Sequence, residues 1–538
     1  MVWLSWLGCA RYEVSAPWVT AEDGTRLAVD VILPDDREGP SPVVLISTRY
    51  WRSFDLKFDR SDRAMPIGPR EDIAAELSRA GYGVVIADLR GTGASEGTWE
   101  RPWSDDEVAD LGALVDWIAA QPWCDGRVGA TGVSYEGTTA LLAATHGHPA
   151  LRAVLAREIE WDLVDELLAP GGVRNVAFVD VWGRSAAALD RGEVPELFPK
   201  SSRWMIEGPR PTDDDPDGVA RDARIAARVI ADVAADVEHV RAPADPWGEG
   251  GPPASTIGPS AWVDALVASD AALGVWGSWW DGATADAVLR ADAALGLVDA
   301  RVGGWTHEGT DSASPLADRD RAARLSLDDV VGFFDTHLRG DGGPPLRRWY
   351  VAGPEVWEEG AQWPVVVPRS YSPRQDGALG APDPNLRRAL EVDFDATVGP
   401  ESRWSAGLLT AVPAPNRDDA PGLLSFATPP FDAPVQLFGE AELRCAVEID
   451  GEAALHVYVE AVEPSGKVRL LTEGVTRART GVVTVRIRPV SARLEAGWAL
   501  RLSVAGADAD TFERVPASGP QRITLVGDSC ALELGTAR

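Results

Sequence analysis

The stretch that most constrains the fold is 127–137, a short apolar segment that ends on small residues and runs directly into an Ala- and Leu-rich segment at 138–144. A strand that turns sharply into a helix, with Ser134 at the bend, is the layout of a nucleophile elbow. Gly132 and Gly137 flank the serine where the strand and helix backbones pass closely, and a Cβ would collide there. The spacing, Gly-x-Ser-x-x-Gly, is one residue longer than the usual one. Because an ordinary glycine–serine turn has a similar composition, the rest of the chain must decide between the two interpretations.

The order of elements before residue 158 predicts a mostly parallel sheet. Short apolar runs typical of buried strands alternate with segments typical of helices. The strand candidates are 25–33, 43–47, 83–88, 127–133 and 151–155, and the helix candidates are 71–80, 105–121 and 138–144. Strands and helices that alternate at this spacing indicate an α/β architecture, with helices on both faces of the sheet.

The pattern changes along the chain in a way that indicates several domains, and a length of 538 residues suggests about three. Residues 159–258 hold helical segments separated by glycine and proline, including a long one at 219–240, and no buried strand. The α/β pattern resumes over 259–345. From 346 to 538 short alternating strands predict an all-β sandwich or jelly roll. We therefore predict an α/β core formed by 1–158 and 259–345, an inserted helical cap at 159–258, and a C-terminal β domain at 346–538.

The strong negative charge limits the partners of the chain. It has 51 basic and 83 acidic residues, which gives a formal net charge of −32. Such a surface repels nucleic acid and anionic lipid, so we expect neither as a partner. No apolar run approaches the roughly 18–20 residues of a membrane span, and the N-terminal segment lacks the basic region of a signal peptide. These observations predict a soluble, cytoplasmic protein.

The cysteines do not indicate a metal site. Cys9, Cys124, Cys445 and Cys530 are far apart and form no Cys-x-x-Cys pair, so we expect reduced, partly buried thiols. The segment 213–218 begins like a calcium-binding loop, but its fourth position is a proline and its twelfth would be an arginine rather than a glutamate. A solvated acidic loop is the better interpretation. No metal ion and no organic cofactor are predicted.

Two later strand candidates are each followed by a residue that can activate Ser134. The strand at 271–277 runs into Asp281, and the strand at 300–305 runs into His307. The order Ser, Asp, His is that of a catalytic triad on a parallel sheet, and such residues meet at the carboxyl edge of the sheet. Serine needs an imidazole to take its proton, and the imidazole needs a carboxylate to fix its tautomer. The other five histidines lie near the elbow helix, in the cap, on a later helix or in the β domain.

Several segments of the chain carry a family resemblance. They include Asp88-Leu-Arg-Gly-Thr-Gly-Ala-Ser-Glu-Gly97, Gly132-Val-Ser-Tyr-Glu-Gly137, Trp280-Asp-Gly282, Gly304-Trp-Thr-His307 and Leu471-Thr-Glu-Gly-Val-Thr-Arg-Ala-Arg479. They resemble the cocaine esterase and X-prolyl dipeptidyl-peptidase (CocE/NonD) family of serine hydrolases, over essentially the whole chain. The resemblance implies three parts, which are an α/β-hydrolase core, a helical cap and a C-terminal jelly roll.

The resemblance also implies an oxyanion hole. In this family a tyrosine hydroxyl after the third strand and the backbone N–H that follows the serine stabilise the tetrahedral oxyanion. These positions fall on Tyr50 and Tyr135. The candidates for the substrate pocket are Trp51, Trp161 and Trp182, although a tryptophan is more often part of a core.

Departures from the family pattern bear on the substrate. Where relatives often carry a bulky aromatic residue after the triad aspartate, this chain has small residues at 282–285, which would widen or reshape the acyl pocket. Asp162, Asp165 and Glu166 are candidates for binding a substrate ammonium group, but solvated helix charges are the default interpretation.

The sequence therefore predicts a serine hydrolase that cleaves a small-molecule ester, or an amide, through an acyl-enzyme. Ser134 attacks, His307 acts as base and then as acid, and Asp281 orients it. The alternatives are an X-Pro dipeptidyl aminopeptidase, a β-lactam or amino-ester acylase, and a catalytically silent carbohydrate-binding protein. The oligomeric state is open, with a homo-oligomer as one alternative.

Overall fold

The computed structural model describes residues 12–35, 37–57, 66–196, 198, 200–309, 311–317, 324–398, 402–405 and 422–537. Cys9 lies outside these residues. Thirteen strands are described before residue 361: β1 (Tyr12–Ser15), β2 (Trp18–Thr20), β3 (Arg26–Pro34), β4 (Ser41–Thr48), β5 (Phe54–Leu56), β6 (Gly83–Asp88), β7 (Cys124–Val133), β8 (Leu151–Arg157), β9 (Ile206–Pro209), β10 (Ala272–Ser278), β11 (Asp299–Gly303), β12 (Leu346–Val351) and β13 (Val356–Gly360).

The helices of the described residues lie between these strands. They are α1 (Glu71–Arg79), α2 (Asp105–Ala119), α3 (Tyr135–Ala143), α4 (Val176–Asp190), α5 (Lys200–Met205), α6 (Val219–Ala226), α7 (Val233–Asp236), α8 (Val263–Val267), α9 (Thr284–Leu295) and α10 (Leu327–Phe334). Short 3₁₀ turns occur at Ala144–His146, Pro170–Gly172, Ala254–Thr256, Pro259–Trp262, His307–Gly309 and Arg403–Ser405, and π-helical turns at Val164–Leu168 and Asp335–Arg339.

Eleven strands form one mixed sheet in the order β1-β3-β6-β4-β7-β8-β10-β11-β12-β13, with β2 paired to β3. From β6 to β12 all neighbours are parallel. Alternate residues of β4 pack into two different cores: Val43 and Leu45 join the core with α2, α3 and α9, whereas Val44 and Ile46 join the core with α1 and α10. Helices therefore cover both faces, as the sequence predicts, and the carboxyl ends of the central strands form one open edge.

The cap differs from its prediction in two respects. The single long helix expected at 219–240 is wrong, because α6 ends at Ala226 and α7 begins afresh at Val233, where the side chain of Asp232 accepts a hydrogen bond from Ala235 N. The expectation of no buried strand is also wrong, since β9, which is buried at all but one residue, pairs with β5 in a two-stranded antiparallel sheet. This short pairing ties the cap to the loop that follows β4.

The C-terminal strands form a second sheet with eight strands. They are β14 (Val366–Pro373), β15 (Leu379–Gly380), β16 (Arg387–Glu391), β17 (Leu424–Ala427), β18 (Val435–Val462), β19 (Val468–Leu494), β20 (Ala499–Ala505) and β21 (Arg522–Ala537). All their pairings are antiparallel. The predicted fold class, an α/β core with an all-β C-terminal region, is therefore confirmed. Two strands after residue 345, β12 and β13, extend the first sheet, and the predicted domain limits stay a prediction.

The prediction of reduced thiols is wrong for two of the cysteines. Cys445 on β18 and Cys530 on β21 form a disulfide, although they are 85 residues apart in the chain. The pairing depends on the alignment of two antiparallel strands, which cysteine spacing does not reveal. Cys124 is a buried, unbonded thiol. Among the described helices, none combines the length and the apolar character that crossing a membrane requires.

Candidate active site

Ser134 lies at the bend between β7 and α3 in a strained backbone conformation. Its φ of 63° and ψ of −126° are unusual for a residue with a side chain, and they turn the serine out of the sheet at its carboxyl edge. A Cβ on Gly132 would overlap the backbone of Glu136, and one on Gly137 would overlap the carbonyl of Arg157. The sequence prediction that only glycine fits at these two positions is therefore confirmed.

Asp281 and His307 follow two adjacent parallel strands, β10 and β11, and they contact each other. The distance from His307 Nδ1 to Asp281 Oδ2 is 2.7 Å. Asp281 is buried, and the imidazole is about one-tenth exposed. If Nδ1 carries the proton and donates to this carboxylate, Nε2 is the basic nitrogen of the ring.

The loop that carries Asp281 is fixed by several hydrogen bonds. The hydroxyl of Thr284 donates to the carbonyl of Asp281 at 2.9 Å, and Gly282 N donates to the carbonyl of Arg403 at 2.7 Å. The indole of Trp280 donates to the carbonyl of Leu471 on β19 at 2.8 Å. Since Arg403 and Leu471 belong to the C-terminal region, that region helps to hold the aspartate in place.

A cavity opens beside Ser134. Its walls are mostly apolar, and they are formed by Tyr50, Pro102, Trp103, Ser134, Tyr135, Glu160, Leu163, Leu167, Leu168, Phe178, Trp182 and Trp247. Of the three tryptophans predicted for the pocket, Trp182 lines this cavity. Trp51 instead packs on Leu189, with its indole donating to the Leu189 carbonyl at 3.2 Å, and Trp161 is not part of the cavity wall.

Tyr50 and Trp182 are joined in the cavity wall. The indole Nε1 of Trp182 donates to the hydroxyl of Tyr50 at 2.8 Å. Because this bond uses a lone pair of the phenol oxygen, the phenolic proton remains for a second bond. Burial raises the pKa of Tyr50 to about 12, while the nearby Arg49 opposes that shift. The hydroxyl is therefore neutral, and able to donate, throughout the physiological pH range.

Tyr135 presents its backbone to Ser134 and its side chain to the core. Its N–H is the first of α3, and the first N–H groups of a helix have no acceptor within the helix. Its hydroxyl lies 2.8 Å from a carboxyl oxygen of Glu107 and accepts from the indole of Trp99 at 3.1 Å. Burial raises the pKa of Glu107 to about 8, so that this acid is neutral at pH 7.

Comparison with known proteins now identifies the family. Residues 23–212 match the X-Pro dipeptidyl-peptidase (S15 family), and 341–528 match the X-Pro dipeptidyl-peptidase C-terminal non-catalytic domain. The chain is 30% identical to a Mycobacterium bovis protein that is named as a serine esterase, and the match covers 94% of this chain and 92% of that protein. The chain belongs to the S15 family of serine hydrolases. The resemblance noted in the sequence is confirmed.

A further relative and a solved structure are also similar to the chain. The cocaine esterase of a Rhodococcus species is 28% identical, over 86% of this chain and 82% of the relative. An aminopeptidase from a marine sediment archaeon, Thaumarchaeota archaeon, has the same fold, with a TM-score of 0.74 at 18% identity over 98% of this chain and 97% of the other. The alternative of a catalytically silent carbohydrate-binding protein therefore gives way to a hydrolase.

The three carboxylates considered for ammonium binding are engaged in other contacts. Glu166 is buried and pairs with Arg290 at 3.0 Å, and Asp165 pairs with Arg290 and, on β19, Arg486, each at 3.1 Å. Asp162 accepts hydrogen bonds from backbone N–H groups at the start of the following turn. Asp165 and Glu166 thus join the cap to the core, and Asp165 also joins it to the C-terminal region of this S15 protein.

Sequence reasoning missed two buried carboxyl groups just after β8, Glu158 and Glu160. Glu160 is 7% exposed and lines the cavity beside Ser134. Burial raises its pKa to about 7, an effect that the charge of His307 opposes. Glu158 is 1% exposed and lies against the aspartate loop. Both follow a core strand directly, which is the same signal that identified Asp281 and His307.

Proposed function

We propose that this S15 hydrolase is an esterase that cleaves small carboxylic esters through a covalent acyl-enzyme, with Ser134, Asp281 and His307 as its triad. The observation that carries the proposal is the 2.7 Å contact between His307 Nδ1 and Asp281 Oδ2 at the sheet edge where Ser134 bends out of its strand. Without this carboxylate, the imidazole would have neither a fixed tautomer nor a counter-charge when it takes a proton.

The chemistry follows from these positions. His307 Nε2 takes the proton of Ser134 as Oγ attacks the ester carbon, and the imidazolium then gives that proton to the leaving alcohol as its C–O bond breaks. A water molecule, activated by the same nitrogen, attacks the acyl-enzyme and releases the carboxylic acid. In the proposed oxyanion hole, the hydroxyl of Tyr50 and the N–H of Tyr135 donate to the charge that develops on the substrate oxygen.

The shape of the cavity indicates the acyl group. Most of its wall is formed by leucine and aromatic side chains, as in many pockets that bind small apolar ligands. Burial of apolar surface is the main source of affinity in such a pocket. We therefore expect compact apolar acyl groups to be preferred over long or charged ones.

Labelling with a fluorophosphonate probe tests this proposal. The expected result is a single modified residue, Ser134, identified by peptide mass spectrometry, with labelling abolished in Ser134→Ala. A series of p-nitrophenyl esters of increasing acyl length should show the highest kcat/KM at a short or compact acyl group. Esterase activity that survives in Ser134→Ala would contradict the proposal.

A second candidate function is supported by Glu160. A carboxyl group in an otherwise apolar wall can bind the ammonium group of an aminoacyl ester or of a peptide N-terminus. This would make the protein an amino-ester hydrolase or an aminopeptidase. Neutral and α-amino esters of the same acyl skeleton separate the two functions. If the amine is bound, Glu160→Gln should reduce kcat/KM for the α-amino ester about tenfold or more while the neutral ester retains its rate; if both change equally, Glu160 does not bind an amine.

A further inference from the structure

Glu158 is a buried acid that takes no part in the proposed acyl-enzyme mechanism. It follows β8 directly with a φ of 50°, a conformation that turns its side chain toward the ends of β10 and β11. Its Oε1 accepts from the indole of Trp305 at 2.5 Å, and its Oε2 lies 3.1 Å from the hydroxyl of Thr284. Trp305 precedes His307 by two residues, and Thr284 follows Asp281 by three. Glu158 therefore joins the two loops that carry the acid and the base of the triad.

One oxygen of the Asp281 carboxylate has no hydrogen-bond donor among the described residues. Its Oδ2 contacts His307, but its buried Oδ1 receives no hydrogen bond from any N–H or hydroxyl group of the described residues. A buried carboxylate oxygen without a donor is costly, and native structures rarely leave one. The carboxyl of Glu158 lies within hydrogen-bonding reach of this carboxylate. Two ionised carboxylates offer only acceptors, so a hydrogen bond between them requires a proton.

We propose that Glu158 is a positioning residue that keeps its carboxylic proton and donates it to Oδ1 of Asp281, which holds the carboxylate in line with the His307 imidazole. This inference rests on the proposed function, because it assigns a role only if Asp281 orients His307. It accounts for the unpaired oxygen, for the burial of Glu158 and for the contacts that fix its other oxygen.

The surroundings place the proton on Glu158 rather than on Asp281. Asp281 contacts the imidazole of His307 and lies near the buried guanidinium of Arg403, which is cationic. Glu158 contacts two neutral groups, the indole of Trp305, which donates to it, and the hydroxyl of Thr284. Burial, followed by the negative charge of Asp281, raises the pKa of Glu158 to about 8, an effect that His307 opposes.

This arrangement makes activity depend on pH above neutrality. Two groups that carry or can carry charge act on the Glu158 carboxyl, Asp281 and His307, and two more, Glu160 and Arg403, interact with the same Asp281. When Glu158 loses its proton above a pH of about 8, two carboxylates repel each other, and Asp281 loses the donor that orients it. We expect kcat/KM for a neutral ester to fall above this pH.

Two substitutions of Glu158 test whether its side chain acts as a protonated acid or as an ionised carboxylate. Glutamine has the same shape, is neutral at every pH and can donate its amide N–H to Asp281 Oδ1 while its oxygen accepts from Trp305. Glu158→Gln should therefore keep kcat near pH 7 within about threefold of the wild type and lose the alkaline fall. Glu158→Ala removes the donor, and kcat should fall about 10- to 100-fold with a smaller change in KM. The alkaline fall should persist in Glu107→Gln, which replaces another buried acid of similar pKa.

The readouts are the pH profile of kcat/KM from pH 6 to 10 and the rate of fluorophosphonate labelling. An alkaline fall that persists in Glu158→Gln, or that disappears in Glu107→Gln instead, would overturn the inference. So would a Glu158→Gln variant that is as slow as Glu158→Ala. If Glu158→Ala does not fold, the comparison of Glu158→Gln with the wild type decides. Activity in Ser134→Ala would refute the proposed function itself, whereas an inactive Ser134→Ala beside unaffected Glu158 variants would refute only the positioning role.

Discussion

The two walls of the site are held in different ways. The acid–base wall consists of Asp281, His307 and Glu158, all at the ends of core strands and in direct polar contact with one another or with each other's loops. The second wall, which lines the cavity beside Ser134, is largely an apolar surface from the cap, and Trp182 links it to the core through one hydrogen bond to Tyr50. The comparison suggests that the sheet fixes the chemistry, whereas the cap fixes what the site accepts.

The largest expected effect concerns the acid–base wall. His307→Ala removes the general base, and kcat/KM for a p-nitrophenyl ester should fall about 10⁴-fold or more, as it does when a triad member is lost. His148→Ala is the matched control, because this imidazole bonds Asp116 at 2.8 Å and lies away from the cavity. Steady-state kinetics of the two variants check the prediction. Comparable activity in both would mean that the base is another group and that the comparison of the walls is mistaken.

Apart from Glu158, the acid–base wall is also the part of the site that the sequence predicts. Ser134, Asp281 and His307 each follow an apolar strand directly, and the carboxyl ends of parallel strands meet at one edge. The order of elements around them, with glycines where two backbones touch, follows from short-range pattern and sterics. These features need no knowledge of contacts between distant residues.

Other features depend on such contacts and could not be predicted. The partner of Tyr50 is a tryptophan 132 residues away in the cap, and the disulfide joins strands 85 residues apart. Trp51 was predicted for the pocket because it follows β4, but a positive φ of 66° turns it into a separate core beside Leu189. Glu158 and Glu160 do carry a signal, the position after β8, but Glu158 is the last residue of the predicted core segment and Glu160 lies in the predicted cap.

A smaller effect is expected at the proposed oxyanion hole. Tyr50→Phe removes one donor and leaves the ring, and kcat should fall about 10²- to 10³-fold with little change in KM. Glu107→Gln is a useful comparison, since it perturbs the hydroxyl of Tyr135 but leaves the Tyr135 N–H in place. Burst kinetics with a p-nitrophenyl ester measure acylation and deacylation separately, and both steps should slow. An unchanged kcat/KM would remove Tyr50 from the mechanism.

Loss of the hydrogen bond that links the two walls should have a weaker effect on kcat. Trp182→Phe keeps an aromatic ring stacked near Phe178 but loses the indole N–H that bonds Tyr50. Since one hydrogen bond contributes about 0.5–1.5 kcal/mol, kcat should fall about 2- to 12-fold. Trp103→Phe changes another tryptophan of the same cavity, whose indole bonds Thr139 instead, and should lower kcat less. If the two variants lose equal activity, the cavity shape matters and the bond to Tyr50 does not.

The smallest expected effect is on stability. It allows a comparison of Glu158, a buried acid with a proposed role in the reaction, with Glu107, a buried acid without one. The pKa of Glu158 is about 8 in the folded protein, against an ordinary value of 4.5. Between these values the folded state holds a proton that the unfolded chain has lost, so the contribution of Glu158 to the free energy of unfolding falls as the pH rises from about 4.5 to about 8. Glutamine does not titrate.

The difference in Tm between Glu158→Gln and the wild type should therefore increase from pH 5 to pH 9, by about 2 °C or more, in thermal unfolding followed by circular dichroism. Glu107→Gln should show the same trend, because burial raises the pKa of that acid to about 8 as well. The alkaline fall in kcat/KM, by contrast, should disappear only in Glu158→Gln. A Tm difference that does not vary with pH would mean that Glu158 is ionised in the folded protein, and the spare oxygen of Asp281 would then need another donor.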